Sequence, residues 1–281
     1  MNTTVINRSI PGQFFDWAVE QSGGDEFKLV VYGSIIAGLL AYFVSNFFFV
    51  LADFVDPVWI QPYRIQDGEN KKVTFDKWIR AFKLISFNVF VVGTAMEYLY
   101  YLIGRYDISD EMPSIATVLL HMTVFSIVEE IGFYYSHRLF HHPRIYKYVH
   151  KIHHEWTAPV SITSVYAHPI EHTFSNILPL LIGPVLMRSH ILLAWTWWSV
   201  AIFTTTVSHS GYHLPFLPSA EAHDYHHLAF NECFGVLGFL DYFHGTNKTF
   251  RSSVRYDRHH TTYTLEPVKK TFPEREEAKT K

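Results

Sequence analysis

The chain has 281 residues, 17% of them charged, 17% aromatic and 48% hydrophobic, with a mean hydropathy of +0.05, a balance that suits a membrane protein carrying a polar part better than a soluble enzyme. A net charge of −3, without any basic run interleaved with aromatics, argues against a nucleic-acid partner. The single cysteine, Cys233, excludes an internal disulfide framework and a CxxC metal or redox site, and reads as a small apolar core residue.

Residues 1–28 are polar and mixed, without the basic-then-apolar layout of a secretory signal, and they hold glycosylation sequons at Asn2-Thr3-Thr4 and Asn7-Arg8-Ser9. Leu29 to Ala52 is uncharged over a length that spans a bilayer and predicts a first transmembrane helix. The connection 56–83 carries Arg64, Lys71, Lys72, Lys77, Arg80 and Lys83, which predicts a cytosolic loop and therefore a lumenal N-terminal segment over 1–28. Leu84 to Ile103 predicts the second span, with Glu97 its only charge, and a short lumenal loop follows with Arg105 set against Asp107, Asp110 and Glu111. Ile115 to Tyr135 predicts a third span that returns to the cytosol and delivers His137 there.

Glu129 and Glu130 lie inside that third span, where a carboxylate is unfavourable unless it pairs or faces a polar site. After a polar stretch over 155–173, Asn176 to Met187 is apolar but too short to span, and Ile191 to Val207 runs back after the turn Arg188-Ser189-His190. Together they predict a hairpin that enters and leaves on one face, returning residues from 208 onward to the side of His137. Glu266 to Lys281 is charged and predicts a disordered tail. The expected fold is all-α: polytopic membrane helices, three spans plus a hairpin, form a single domain over 29–265, with a cytosolic His-rich helical cap from 137–173 and 208–265.

The stretch from His137 to His154 places six histidines in eighteen residues. His137 and His141 are four apart, and His150, His153 and His154 stand at i, i+3 and i+4, so each set would share one face of a helix, with Pro143 dividing the two. A second cluster follows in HSGYH, His209 and His213, and HDYHH, His223, His226 and His227. Neutral imidazole is the commonest protein ligand for redox-capable metals, and helical spacing aims several rings at one point. Ten such ligands exceed one zinc ion, whereas two octahedral metals offer about twelve positions and leave a couple open. Glu130, seven residues before His137, is placed to accept a ligand ring's other N–H, and Asp224 to hold a ligand imidazole in its tautomer. His142 points off the ligand stripe, and His121, His190, His244, His259 and His260 read as isolated. Tyr134, Trp156 and Tyr166 are possible pocket walls.

The segments EEIGFYYSHRLFHH, YKYVHKIHHEWTAPV, YAHPIEH, SHSGYHLPFLPS and HDYHHLAFNECFGVLGFLDYFHGT resemble the fatty acid hydroxylase/sterol desaturase superfamily of membrane di-iron enzymes, over residues 29 to about 260. The resemblance implies ligands at His137, His141, His150, His153, His154, His209, His213, His223, His226 and His227, with His168 and His172 lining the site or supporting it. It also implies two iron ions, O2 as co-substrate, electrons from NAD(P)H through cytochrome b5 and its reductase, and an endoplasmic reticulum membrane with the site facing the cytosol. The 28 residues ahead of the first span cannot hold a fused cytochrome b5 domain, so the donor is expected to be a separate protein. The implied reaction is oxidation of a lipid C–H bond, the C-4 methyl of a sterol being favoured over a fatty-acyl or sphingoid substrate. Two rivals stand beside it: a zinc hydrolase using the HxxEH pattern of His168, Glu171 and His172, and a metal-stabilised membrane scaffold without turnover.

Overall fold

A computed structural model describes residues 8–66 and 75–274; the sequons at Asn2 and Asn7, the basic Lys71 and Lys72, and residues 275–281 lie outside or begin outside the described residues. Within them the chain is helical, and its β-type pairing is confined to isolated bridges. Helix α1 (Ile10–Ser22) is followed by five helices long and apolar enough to cross a membrane: α2 (Lys28–Val55), α3 (Phe75–Ile103), α4 (Ile115–Phe140), α5 (Pro169–Met187) and α6 (Ile191–Ser208). Their outward faces carry exposed apolar side chains such as Leu40, Phe47 and Leu119, a surface that only lipid can cover at this density. The protein is a multi-pass membrane protein.

The three expected spans are present. The hairpin differs in its first arm, which starts at Pro169 rather than Asn176 and runs 19 residues. Glu171, His172, Thr173 and Ser175 hide its start from a hydropathy reading, because this polar stretch, partly in a wide π-helical turn at His172–Ile177, turns Glu171, His172 and Ser175 toward an internal cavity. Two arms still return the chain to its starting side. The segment 1–28 also holds more structure than its polarity suggests: α1 is capped by Ser9 and closed by Gly23 in the left-handed region (φ 67°). It packs Phe15 against the His190 ring at 4.9 Å and turns Ile10, Phe14 and Trp17 outward, as an amphipathic helix at a membrane surface does.

Small residues set the packing of the spans. A Cβ on Gly132 of α4 would stand 2.9 Å from Pro179 of α5, one on Gly183 of α5 would stand 2.8 Å from the Phe125 ring of α4, and one on Gly33 of α2 would stand 2.4 Å from Trp195 of α6. The two ends of the bundle are distinct. At one, Ile65 N donates to Gly211 O (2.9 Å) and Gln66 Nε2 to Thr157 O (2.9 Å), which joins the α2–α3 connection to the histidine-bearing cap. At the other, Asp107 N donates to Ser189 O (3.0 Å), beneath α1. The basic connection therefore lies on the histidine side and α1 on the opposite one. Part of the expected disordered tail is ordered: Val268–Thr271 makes a helical turn with Val268 buried, and the buried Arg258 donates to Phe272 O (2.7 Å) and pairs with Glu274 (2.7 Å). One buried guanidinium demands those acceptors and so holds a segment whose charge density alone reads as unstructured.

Candidate metal centre

Four pieces of chain bring the histidines together. The last turn of α4 carries His137, and His141 caps it. His142 then caps a single turn, Pro143–Tyr146, its Nδ1 accepting from Arg144 N at 3.3 Å, and the chain doubles back. His150–Glu155 forms a 3₁₀ stretch rather than the α-helix that the spacing predicts. Along it His150 and His154 join one group and His153 the other, a division that the winding alone, which eclipses i and i+3, does not impose. Helix α6 ends on His209, and helix α7 (Glu221–Ala229) supplies His226 to the first group and His223 and His227 to the second.

The first group is therefore His137, His141, His150, His154 and His226, and the second is His153, His209, His223 and His227. At the centre of the first, His154 Nε2 lies 3.2 Å from His141 Nε2, 3.0 Å from His150 Nε2 and 3.2 Å from His226 Nε2, with His137 Nε2 3.2 Å from His150 Nε2. In the second, His209 Nε2 lies 3.4 Å from His153 Nε2 and 2.9 Å from His223 Nε2, which is 3.1 Å from His227 Nε2.

Several of the rings turn their other nitrogen to a fixed acceptor. His137 Nδ1–H donates to Phe234 O (2.8 Å), His226 Nδ1–H to Glu232 O (2.7 Å), His153 Nδ1–H to Tyr166 O (3.1 Å) and His209 Nδ1–H to Thr205 O (2.8 Å), while His150 Nδ1 stands 2.8 Å from Glu171 Oε1. The four neutral rings held by carbonyls have no proton left on Nε2, so the His153 and His209 lone pairs face one another across 3.4 Å, and those of His137 and His226 point into the first group. Donors about 2.1 Å from one ion and at right angles stand about 3.0 Å apart, so the spacing fits a cation in each group. Burial keeps the rings ready to bind: it pushes His153 down to about 4 and His209, with His153 beside it, down to about 3, and it lowers His141, His150, His154, His223, His226 and His227 as well.

His213, the tenth expected ligand, belongs to neither group. Its Nε2–H donates to His260 O (3.1 Å), its Nδ1 lies 3.5 Å from Glu221, and its backbone N donates to Tyr63 O (2.8 Å). Its Nε2 is committed to a carbonyl within the cap, and its backbone N–H ties this segment to the α2–α3 connection. Against about twelve octahedral positions, nine imidazoles would leave three open rather than two if each group held one ion.

The two carboxylates expected to hold ligand rings act at one remove. Glu130 Oε2 accepts from Val236 N and Leu237 N (2.7 Å each), and Asp241 accepts from Phe234 N (2.9 Å) and Gly235 N (2.7 Å). The loop threaded between them presents Phe234 O to His137, and Gly235 admits no side chain, since a Cβ there would stand 2.6 Å from Glu130. Replacing Glu130 by Ala should strand these buried N–H groups, destabilise the protein by about 3 kcal/mol and loosen His137. Thermal unfolding and metal affinity check this, and an unchanged melting temperature would refute it. Asp224 bonds Gln66 (3.0 Å) and Arg255 (2.6 Å) and no histidine, so it anchors α7; burial, opposed by Arg255 and Gln66, raises it to about 6.

His142 and His168 are helix caps, the latter accepting from Ile170 N at 3.2 Å, and His172 is buried on the cavity wall beside Asn176. His168, Glu171 and His172 take these separate partners, and none of them belongs to the groups of possible metal ligands among the described residues. Tyr134, Trp156 and Tyr166 are core residues away from the cavity wall; Trp156 sits under Lys77 (4.0 Å) and against Trp78. Sequence reasoning missed Glu171 as the partner of His150. It also missed Asn88, whose Nδ2 holds Val165 O (2.9 Å) and Ala167 O (2.8 Å) on either side of the Tyr166 carbonyl that orients His153. Asn88 begins a π-helical stretch of α3, and such wide turns frequently accompany functional sites.

His137, His150, His153, His209 and His223 face a cavity of about 700 Å³ that extends between α2, α3, α4, α5 and α6 into the membrane portion. Its wall is largely apolar, with a few polar groups, as a site for a small lipid requires.

A family model for fatty acid hydroxylases matches residues 122–246, which include all ten expected ligands. The chain is 42% identical over 255 residues to fatty acid hydroxylase domain-containing protein 2 of Homo sapiens, covering 89% of this chain and 77% of that one. It is 39% identical over 200 residues to fatty acid hydroxylase ahd1 of Mycosarcoma maydis (70% and 52%), and 31% identical over 252 residues to methylsterol monooxygenase 1 of Rattus norvegicus (85% and 83%). No solved structure matches the chain.

Proposed function

Because this chain belongs to the fatty acid hydroxylase family, as a membrane oxidoreductase related to the methylsterol monooxygenases, we propose that it oxidises an unactivated C–H bond of a membrane lipid, the C-4 methyl group of a sterol. The observation that carries the reading is the pairing of two converged imidazole groups with one apolar cavity within the membrane. The five-histidine and four-histidine groups would hold one iron ion each. When bound, the pair supplies the oxidising equivalents that O2 and two electrons provide, the electrons coming from NAD(P)H through cytochrome b5 and its reductase.

The protein's own part is orientation and exclusion. Carbonyls of Phe234, Glu232, Tyr166 and Thr205 and the carboxylate of Glu171 would fix which nitrogen points inward in five of the nine rings, those of His137, His226, His153, His209 and His150. The apolar wall keeps water from the reacting carbon and admits a lipid directly from the bilayer. On this reading the cap faces the cytosol of the endoplasmic reticulum. Reporters at residue 1 and residue 281 should fall on opposite sides of the membrane, the latter cytosolic, and finding both on one side would refute the orientation.

The sterol assignment is tested by incubating membranes containing the protein with a 4-methylsterol, NADH and O2 while following 4-hydroxymethyl and 4-carboxy products. Conversion should require O2 and vanish in His153→Ala. Hydroxylation of fatty-acyl or sphingoid lipids without any sterol oxidation would overturn the sterol claim and leave the di-iron claim. Metal bound without turnover of any lipid would support the scaffold reading instead.

A further inference from the structure

The cavity does not end in hydrocarbon. In its membrane portion Glu97, the lone charge in the C-terminal half of α3, and Trp198 of α6 both line the wall, and both carry a buried polar atom with no partner among the described residues, Glu97 Oε2 and Trp198 Nε1. Tyr100, one turn beyond Glu97, packs edge-on against Trp198 at 5.3 Å, and its hydroxyl also lacks a partner. Beside them Trp195 Nε1 donates to Ser34 Oγ (2.9 Å), and Ser34, on the cavity wall, in turn hydrogen-bonds the Glu97 carboxyl. One carboxyl oxygen and one indole N–H, on two residues that line the membrane portion of the cavity, are left without a partner among the described residues. Buried polar groups are ordinarily satisfied, and an ionisable side chain inside a span marks a functional site by default.

An orphan acceptor beside an orphan donor is the complement of a hydroxyl, which donates once and accepts. A methyl group would leave both unpaired, a carboxylate would meet the Glu97 carboxyl, and an ammonium would satisfy Glu97 but not the indole N–H. Trp198 precedes His209 by eleven residues on α6, so this end lies about 16 Å along the helix axis from the histidines. We propose that Glu97 and Trp198 form a subsite for a lipid hydroxyl at the end of the substrate remote from the reacting carbon. The inference rests on the reading of the cavity as the lipid site. With a sterol's C-4 at the histidines, the hydroxyl at the far end is one carried on the side chain.

The test is equilibrium binding of radiolabelled cholesterol and 25-hydroxycholesterol to the purified full-length chain in detergent. The side-chain hydroxyl should strengthen binding about tenfold. Glu97→Leu and Trp198→Phe should each erase that advantage, bringing the two sterols to one affinity, while Glu97→Gln, which keeps an oxygen acceptor and the side chain's volume, should retain most of it. Unchanged metal content in each variant establishes that the cap is folded. Equal affinities that neither substitution alters, or an advantage that survives both, would overturn the subsite. Equal affinities that both substitutions weaken would keep the subsite but place the 3-hydroxyl there, and the C-4 reading would then fail.

Discussion

Alanine at His226 or at His153 should strip metal from the protein and abolish lipid oxidation, whereas alanine at His213 should leave both intact. His226 Nε2 lies 3.2 Å from the Nε2 atoms of His141 and His154, at the centre of the five-histidine group, and its ring is aimed there by Glu232 O. His153 holds the corresponding place in the second group, against His209. Losing a group that only orients a ligand weakens metal binding about 10- to 100-fold, so loss of the ligand itself should exceed that range. His213 resembles its neighbours in sequence but spends its Nε2–H on His260 O, so His213→Ala should cost about 1 kcal/mol of stability and no metal. His259, on the cavity wall with its Nδ1 near Ser219 Oγ (3.2 Å), should likewise be dispensable for binding. Metal content by mass spectrometry, measured beside turnover, decides the matter. A His213→Ala protein short of metal, together with a His226→Ala protein that keeps its full complement, would reverse the assignment.

The contrast between His213 and the other nine shows what the sequence carried and what it did not. Apolar runs interrupted by few charges located the spans, because a lipid-facing helix has little freedom in composition, and α2, α3 and α4 appear where those runs predict. Spacing gathered the histidines but could not divide them between the groups, since i, i+3, i+4 spacing gives His150, His153 and His154 one common face and the division depends on how each ring is turned. Nor could spacing exclude His213, whose nitrogen is claimed by a carbonyl forty-seven residues away.

The supporting groups were hardest to read. Four of the five atoms that orient the rings are backbone oxygens, which every residue owns and no side chain advertises. Glu130 and Asp224 were expected to hold imidazoles directly; instead Glu130 fastens the loop that presents Phe234 O to His137, and Asp224 anchors the helix that carries His223, His226 and His227. The start of α5 was hidden by polar residues that face inward to the cavity, a position for which hydropathy has no signal.

Removing the metals should unfold the cap while leaving the membrane helices in place, and acid should deepen the effect. Nine imidazoles crowd their lone pairs into two small volumes, so without a cation between them the packed arrangement loses its main source of cohesion. Their positions come from four segments that converge on the centre, which couples ligand binding to cap folding. The spans are held by their own packing, of Gly132 on Pro179 and Gly33 on Trp195, and by the bilayer. The sign of the pH effect follows from the lowered rings. In the unfolded chain a histidine takes up a proton near pH 6.5, whereas in the folded one His153 does so only at about 4 and His209 at about 3. Below about pH 6.5 the unfolded state therefore binds more protons, and stability falls with pH until the folded rings titrate in turn. Above about pH 7 neither state changes charge at these rings and stability should be level. Limited proteolysis within 137–173 and 208–265, with tryptophan-monitored melting, should rank the metal-loaded protein at about pH 7.5 above the chelated protein at the same pH, and that above the chelated protein at about pH 5.5. A cap that resists protease equally with and without chelator, and melts at one temperature across that range, would show that the histidines are packed for some purpose other than holding metal.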